Sequence, residues 1–371
     1  VRRARPYFVA AAVFVLLLAG AEGLARVASP EPSPAWVPHP FLGRVRPASW
    51  SCERVSIEDG STFTFRTNAI GMRGSSIAGP AKPKGTYRIF FAGASTTENP
   101  NLPEEKTFPA IVERLLNEEL KGSPRVEVGN VGISGNASAG TLAQVSQRLL
   151  ALDPDAILCL EGNDVFESMG DEWEPTTYHL ARDRPPKFRQ WFLSVSRLAS
   201  LLDEKLSPGS EQDPRPLYRR RAAQRRQASV NEPGDDVLLR GRDVFRSNLR
   251  RMSLLCEDAH VRFGLMTVAW LYKDVQPPDE DAVIWQIQAG RYNLSTRTAR
   301  RAVDVYNGLV RAVASERGAL LVDLDAAVPR DLAHLVDDVH LTVLGNQVAA
   351  RAITAAILAD GAIRAPRHAG Q

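Results

Sequence analysis

Four separated stretches of this 371-residue chain carry side chains that can do chemistry together. Ser95 stands in Gly93-Ala94-Ser95-Thr96-Thr97, directly after the β-forming residues Tyr87, Ile89, Phe90 and Phe91. Asn130-Val131-Gly132-Ile133-Ser134-Gly135-Asn136 and Leu160-Glu161-Gly162-Asn163-Asp164 each follow a further apolar run, and Asp337-Asp338-Val339-His340-Leu341-Thr342 lies near the end of the sequence. A serine hydroxyl is a poor nucleophile until a neighbouring base takes its proton, and His340 is the candidate base. Asp337 precedes it by three residues, about one helical turn, so its carboxylate can hold Nδ1 of the same imidazole and stabilise the imidazolium. Asp338 is only two residues from His340 and is read as pointing elsewhere. Taken singly, each stretch has a plainer reading: a strand-end serine or an Asn-Asp pair caps a helix or turn, and a lone histidine sits on a surface. Occurring in this order at the ends of strands, they read together as a hydrolase-type site.

The elements that must position these groups follow from apolar periodicity. Tyr87 to Ala92, Val126 to Val131, Ala156 to Leu160, Val261 to Val268 and Ala319 to Asp323 are short apolar runs closed by small or polar residues, as in parallel strands buried on both faces. Between them Phe108, Ile111, Val112, Leu115 and Leu116 recur at helical spacing, as do Leu142, Val145, Leu149 and Leu150, and Val303, Tyr306, Leu309, Val310 and Val313. A last helix is predicted over about Val343 to Leu358. Alternation of this kind gives an α/β fold with a doubly wound, five-stranded parallel sheet, and ligands bind at the carboxyl ends of such strands. Ser95 and the other three stretches all fall at that rim.

At this point the chain resembles the SGNH, or GDSL-type, serine hydrolases, exported bacterial members especially. Ser95 stands in the nucleophile block, Gly135 in the second block, Asn163 in the third, and Asp337 with His340 in the last. The resemblance runs from about Tyr87 to Leu358 and implies a flavodoxin-like three-layer α/β/α sandwich. One block departs from the family name, reading GAST instead of GDSL, and resembles the GxSTT form of membrane-tethered relatives. Ala94 leaves the Ser95 hydroxyl and amide in place. The backbone amides of Ser95 and Gly135, with the side-chain amide of Asn163, then form the expected oxyanion hole, each donor contributing about 3 kcal/mol. Gly129, Gly132 and Gly135 do not make GxGxxG, so no dinucleotide fingerprint is present, and no GxSxG elbow surrounds Ser95. No cofactor or metal is expected.

Composition bounds the rest. A net charge of +3 with mixed signs excludes a nucleic-acid footprint, and 44% hydrophobic residues are ordinary for a globular protein. Cys52, Cys159 and Cys256 are odd in number and widely spaced, so neither a disulfide framework nor a zinc site is indicated. Arg2, Arg3 and Arg5 precede an uncharged run from Pro6 to Ala21, which reads as a signal anchor with the amino terminus in the cytoplasm. Ala19-Gly20-Ala21 also fits a signal-peptide cleavage site. Either way the catalytic domain is expected outside the cytoplasm, as a single-pass membrane protein or a secreted or periplasmic one. The predicted organisation is residues 1–28 as signal anchor or signal peptide and 29–84 as a Pro-rich stalk with a small β cap carrying Phe63 and Phe65. Residues 85–361 are the hydrolase domain with an insertion at about 165–242, and 362–371 a tail. Within the insertion Phe188 to Leu206 reads as helical and Ser207 to Asp236 as a mobile loop. Its basic run Arg219 to Arg226 is a solvated segment, or more sharply a contact for anionic lipid or glycan. Glu98 and Glu161 flank site residues and read as groups that tune the site's polarity or, by default, as solvent-facing. Trp270, Tyr272, Trp285 and Tyr292 read either as a wall for a sugar ring or as packing.

The expectation is an extracytoplasmic serine esterase that forms an acyl-serine and removes O-acetyl or other short acyl groups from envelope or exopolysaccharide glycans. Two alternatives stay open at this level: an O-acyltransferase using the same residues, and an inactive envelope scaffold or glycan-binding module. Oligomeric state is not legible.

Overall fold

A computed structural model describes residues 5–28, 35–39, 41–74, 77, 79–170, 173, 196–206, 212–289 and 291–364. The five apolar runs form one parallel sheet: β1 (Thr86–Gly93), β2 (Arg125–Asn130), β3 (Ala156–Leu160), β4 (Arg262–Met266) and β5 (Leu320–Val322). Their spatial order is β5-β4-β3-β1-β2, with Ile89 of β1 opposite both Val128 of β2 and Ala156 of β3. The chain steps one way from β1 to β2 and the other way thereafter. Right-handed crossovers therefore place the first connecting helix on one face and the later ones on the other. The helices pack accordingly. α2 (Phe108–Glu119) lies against the helix that closes the fold, α7 (Val343–Asp360), while α3 (Ser138–Gln144), α5 (Arg242–Asp258) and α6 (Thr296–Arg317) pack among themselves. Covered on both sides, β1 and β3 are buried along nearly their whole length, as are Phe108, Ile111, Val112 and Leu116 of α2 and Val303, Tyr306, Val310 and Val313 of α6. This is the three-layer α/β/α sandwich, and its switch of winding direction lies between β1 and β3.

The region ahead of β1 wraps the sheet rim. Residues 35–39 and 41–47, expected as stalk, turn back on themselves as the antiparallel pair Val37–His39 and Gly43–Val45. The β cap forms from Ser51–Val55 and Thr62–Arg66, with Cys52 opposite Phe65. Of its two rings Phe65 is buried and Phe63 only half-buried. The guanidiniums of Arg46, Arg54 and Arg73 lie 5.1, 5.1 and 4.9 Å from the Phe65 ring centroid.

Two expectations are corrected here. The amino-terminal run does form a helix, α1 (Arg5–Ala28), but among the described residues no helix is long and apolar enough to cross a membrane, so the transmembrane-helix reading is not supported. In the last turns of α1 Glu22 and Arg26 pair at 2.7 Å, and Glu22 also accepts the backbone N–H groups of Arg197 and Leu198 at 2.9 and 3.0 Å, capping the helix Arg197–Leu206. Second, the supposed loop contains a helix, α4 (Arg215–Gln227). Arg2, Arg3, residues 29–34, 188–195, 207–211 and the tail from 365 lie outside the described residues.

Candidate active site

Sequence and sterics force three loops together at the switch point. A Cβ at Gly93 would stand 2.3 Å from the Leu160 carbonyl and 2.5 Å from Thr97 Oγ1, so only glycine lets β1 pass the end of β3. The chain then turns into the single helical turn Ser95–Glu98, where Thr97 and Glu98 N–H donate to the Ala94 carbonyl at 3.2 and 2.9 Å. Ser95 is its first residue, and among the described residues its own N–H meets no protein acceptor. The second loop locks onto the first: Ile133 N–H donates to Gly93 O at 3.0 Å, and a Cβ at Gly132 would meet Glu98 N at 2.3 Å. Gly135 follows with φ +75, a left-handed position. Asn163 opens the short helix Asp164–Glu167 with its backbone alone, which leaves its side chain to donate from Nδ2 to Asn136 O at 2.8 Å across the two loops. One N–H of that amide remains to be directed elsewhere.

The fourth stretch is not a helical turn, contrary to the spacing argument. Residues 335–341 form a tight loop closed by Val336 N–H on His340 O (2.8 Å) and Thr342 N–H on His334 O (2.9 Å). Within it Asp337 Oδ1 accepts the N–H groups of Val339 and His340 at 3.0 and 2.9 Å, the self-bonded turn that aspartate forms readily. Thr342 then caps α7, its Oγ1 accepting from Gly345 N at 3.0 Å. The loop delivers the His340 ring to the serine. His340 Nε2 lies 2.8 Å from Ser95 Oγ, and Nδ1 lies 2.8 and 3.0 Å from the two oxygens of Asp337. A carboxylate only accepts, so Nδ1 carries the proton and Nε2 faces the serine hydroxyl as acceptor.

Burial sets the electrostatics. It disfavours the His340 imidazolium, yet the charge and hydrogen bond of Asp337 outweigh it and raise the imidazole above its ordinary value of 6.5. Asp337, itself buried, is held below the usual carboxylate range by the same partner. Asp338 points away from the imidazole. It accepts from the Tyr272 hydroxyl (2.8 Å) and from the backbone N–H groups of Trp285 (2.8 Å) and Gln286 (3.0 Å), while burial and the neighbouring Asp337 push it up to about 7. Glu98 and Glu161 are both buried, not solvent-facing. Burial opposes the Glu98 charge, but Arg46 Nε at 2.8 Å, the Ser134 N–H at 3.0 Å and the Ser134 hydroxyl hold it ionised below its usual range. Among the described residues Glu161 has no hydrogen-bond partner of good geometry; burial first and Asp164 second push it well above the usual range, and a weak Thr141 hydroxyl contact does not reverse this. Among the described residues no cluster of three or more His, Cys, Asp and Glu side chains is placed to hold a metal ion.

Two aromatic residues stand beside the site: Tyr218, which was not legible as such, and Trp285, which was read as sugar wall or packing. Tyr218 of α4 stacks on the His340 imidazole, ring planes 10° apart and centroids 5.9 Å apart, and on its other neighbour Trp285 at 4.8 Å and 26°. The Trp285 indole Nε1–H donates to Asp337 Oδ2 at 3.1 Å. Trp270 and Tyr272, by contrast, are fully buried and stacked on each other beside Phe166, which assigns them to packing, as burial does Tyr292. The missed signal for α4 was local: Asp213 and two prolines, Pro214 and Pro216, ahead of a run from Leu217 to Ser229 free of Gly and Pro.

An imidazole within hydrogen-bond reach of a serine at a strand end, backed by a buried carboxylate and facing an unpaired main-chain N–H, is the arrangement of a nucleophilic acyl-transfer site. A family model described as GDSL-like lipase/acylhydrolase matches residues 91–348. The chain belongs to this SGNH hydrolase family and is a carboxylic ester hydrolase. Among solved structures it is similar to the acetylxylan esterase Axe2 from Geobacillus stearothermophilus, with 20% identity and a TM-score of 0.42 over 73% of this chain and 94% of that one. It is likewise similar to LAE5, an α/β hydrolase enzyme from the metagenome of Lake Arreo, Spain, at 17% identity and a TM-score of 0.42 over the same shares. Comparison with curated proteins gives no match.

Proposed function

We propose that the protein is an extracytoplasmic serine esterase that removes acetyl or other short acyl groups from envelope or exopolysaccharide glycans through an acyl-serine. The 2.8 Å contact between His340 Nε2 and Ser95 Oγ, with Asp337 behind the ring, carries this reading. In the first half-reaction Ser95 Oγ bonds to the acyl carbon while its proton passes to His340 Nε2, and Asp337 stabilises the imidazolium that results. The carbonyl oxygen, now negative, is to be met by the Ser95 and Gly135 amides and the remaining Asn163 Nδ2–H, the expected oxyanion donors. Collapse breaks the ester bond and His340 returns the proton to the departing sugar oxygen. Water, deprotonated by the same imidazole, then releases the acid. The extracytoplasmic location is supported by the basic residues followed by the apolar run Pro6 to Ala21; protease digestion of the domain in intact spheroplasts tests it, and full protection would refute it.

The chemistry is tested by acyl-ester hydrolysis with wild type, Ser95→Ala and His340→Ala, together with labelling by a fluorophosphonate. Loss of labelling and about 10⁴-fold or greater loss of kcat in both variants is expected. Unimpaired turnover by Ser95→Ala would overturn the assignment. Acyl transfer to an added oligosaccharide that outruns acetate release would replace water by a sugar hydroxyl in the second half-reaction.

A further inference from the structure

Gly135, the second expected oxyanion donor, follows Ser134 at a φ of +75, a region that glycine enters and leaves at little cost. The peptide joining the two therefore depends on its neighbours for a fixed orientation. Ser134 is held at each of its polar atoms. Its N–H donates to Glu98 Oε2 at 3.0 Å and its hydroxyl to the same oxygen, while its carbonyl accepts from Arg44 Nη2. Among the described residues no other donor reaches that carbonyl.

Both partners lead back to one segment ahead of β1. Glu98 is buried and held by Arg46 Nε at 2.8 Å, and Arg46 Nη1 donates to Ala35 O at 3.1 Å. The guanidiniums of Arg44 and Arg46 lie 4.4 and 3.6 Å from the Trp36 ring centroid, within cation–π range. These four residues belong to the antiparallel pair Val37–His39 and Gly43–Val45 or stand at its ends. All lie outside residues 91–348, the stretch matched by the family model.

A peptide unit is planar and trans, so the Ser134 carbonyl and the Gly135 N–H point in opposite directions. A donor seated on the carbonyl therefore aims the N–H, and a cationic donor also polarises the amide and strengthens that N–H. Rotation of this peptide would take the carbonyl off Arg44 and turn the N–H away from the acyl oxygen. Arg44 stands beside the glycine itself: a Cβ at Gly135 would meet Nη2 at 3.3 Å.

We propose that Arg44 is a positioning residue for acyl transfer: through the Ser134 carbonyl it holds the Gly135 N–H toward the oxyanion, which makes the segment ahead of β1 part of the active site. The proposal rests on the esterase reading above and extends it to chain outside the four blocks. Arg44 acts through one peptide plane and not on the reacting atoms.

The test compares wild type, Arg44→Ala and Arg44→Lys in 4-nitrophenyl acetate turnover and in the rate of labelling by a fluorophosphonate, whose phosphoryl oxygen uses the same donors. Arg44 is exposed, so neither substitution removes core packing. Arg44→Ala is expected to lower kcat and the labelling rate about tenfold, a fraction of the roughly 10²- to 10³-fold cost of deleting an oxyanion donor outright. KM and the acid limb of the pH profile stay where they are, and Arg44→Lys, which keeps a charged donor, recovers part of both losses. Equal kcat and equal labelling in wild type and Arg44→Ala overturn the proposal and leave the esterase reading standing. So does a loss accompanied by a lower folded fraction in circular dichroism or by a displaced acid limb, because those belong to stability or to His340. Wild type that neither turns over the ester nor takes the label refutes the esterase reading, and the positioning role with it.

Discussion

Deprotonating Ser95 requires His340 to be neutral, so the protonation balance of one imidazole controls the rate. Because Asp337 holds that imidazole above 6.5 despite its burial, activity should fall on the acid side with an apparent pKa above 6.5. A pH profile of kcat/KM checks this, and an acid limb centred near pH 4 would exclude the imidazole as the base. Asp337→Asn keeps the shape of the side chain but removes the charge and the fixed tautomer. By analogy with the same change in other triads, kcat should drop by about 10⁴-fold with the fold intact, as judged by circular dichroism. These residue-level consequences follow from chemistry that could be named from the sequence, since Ser95, Asp337 and His340 are each the right type in the right order. What the spacing misjudged was the local backbone: Asp337 reaches the ring through a turn stabilised by its own carboxylate and not through a helical turn.

At the scale of elements, the imidazole is held by neighbours from two distant segments. Trp285 donates to Asp337 from a loop after β4, and Tyr218 covers the ring from α4. Trp285→Phe keeps an aromatic stack but deletes the indole N–H. With one donor fewer, Asp337 attracts the imidazole proton more strongly. The acid limb of the pH profile should therefore move upward and kcat fall about tenfold or more, roughly the worth of one hydrogen bond to a charged group. A merely structural tryptophan would lower stability without moving the limb. The five strands and the helices between them were legible because buried parallel strands are continuous apolar runs and covering helices repeat every three to four residues. Helix α4 was not, because six of its thirteen residues are arginines and it buries only Ala222 and Arg225. Its order derives from carbonyls and aromatic rings supplied by other segments, and a solvated chain of that composition has no apolar face to reveal it.

At the scale of the whole molecule, the segment ahead of β1 is tied to the site through one buried carboxylate. Glu98, three residues after Ser95, binds Arg46 and Ser134, while Arg73 donates to the carbonyls of Glu98, Asn99 and Leu102. Its pKa is lower in the folded chain than its ordinary 4.5, so the unfolded chain binds the proton first on acidification. The stability it contributes is thus fully present above pH 4.5 and is lost as the pH falls through its depressed folded value. Denaturant unfolding of Glu98→Gln across pH 3 to 6 should show a shallower acid-side loss than wild type. At neutral pH the same variant should be less stable by about 3 kcal/mol, because Arg46 is left buried without its counter-charge. Equal slopes for the two proteins would remove Glu98 from this role.

The sequence by itself determined the sheet, the rim at which four blocks meet and the kinds of atom brought there, because apolar periodicity and glycine positions are local properties that survive in one dimension. Only the tertiary structure decided how charge is arranged around them. It buried Glu98 beside an arginine from 52 residues earlier and laid α4 over the imidazole. Those outcomes depend on distances between residues far apart in the chain, and Coulombic and stacking energies are set by such distances rather than by residue type alone.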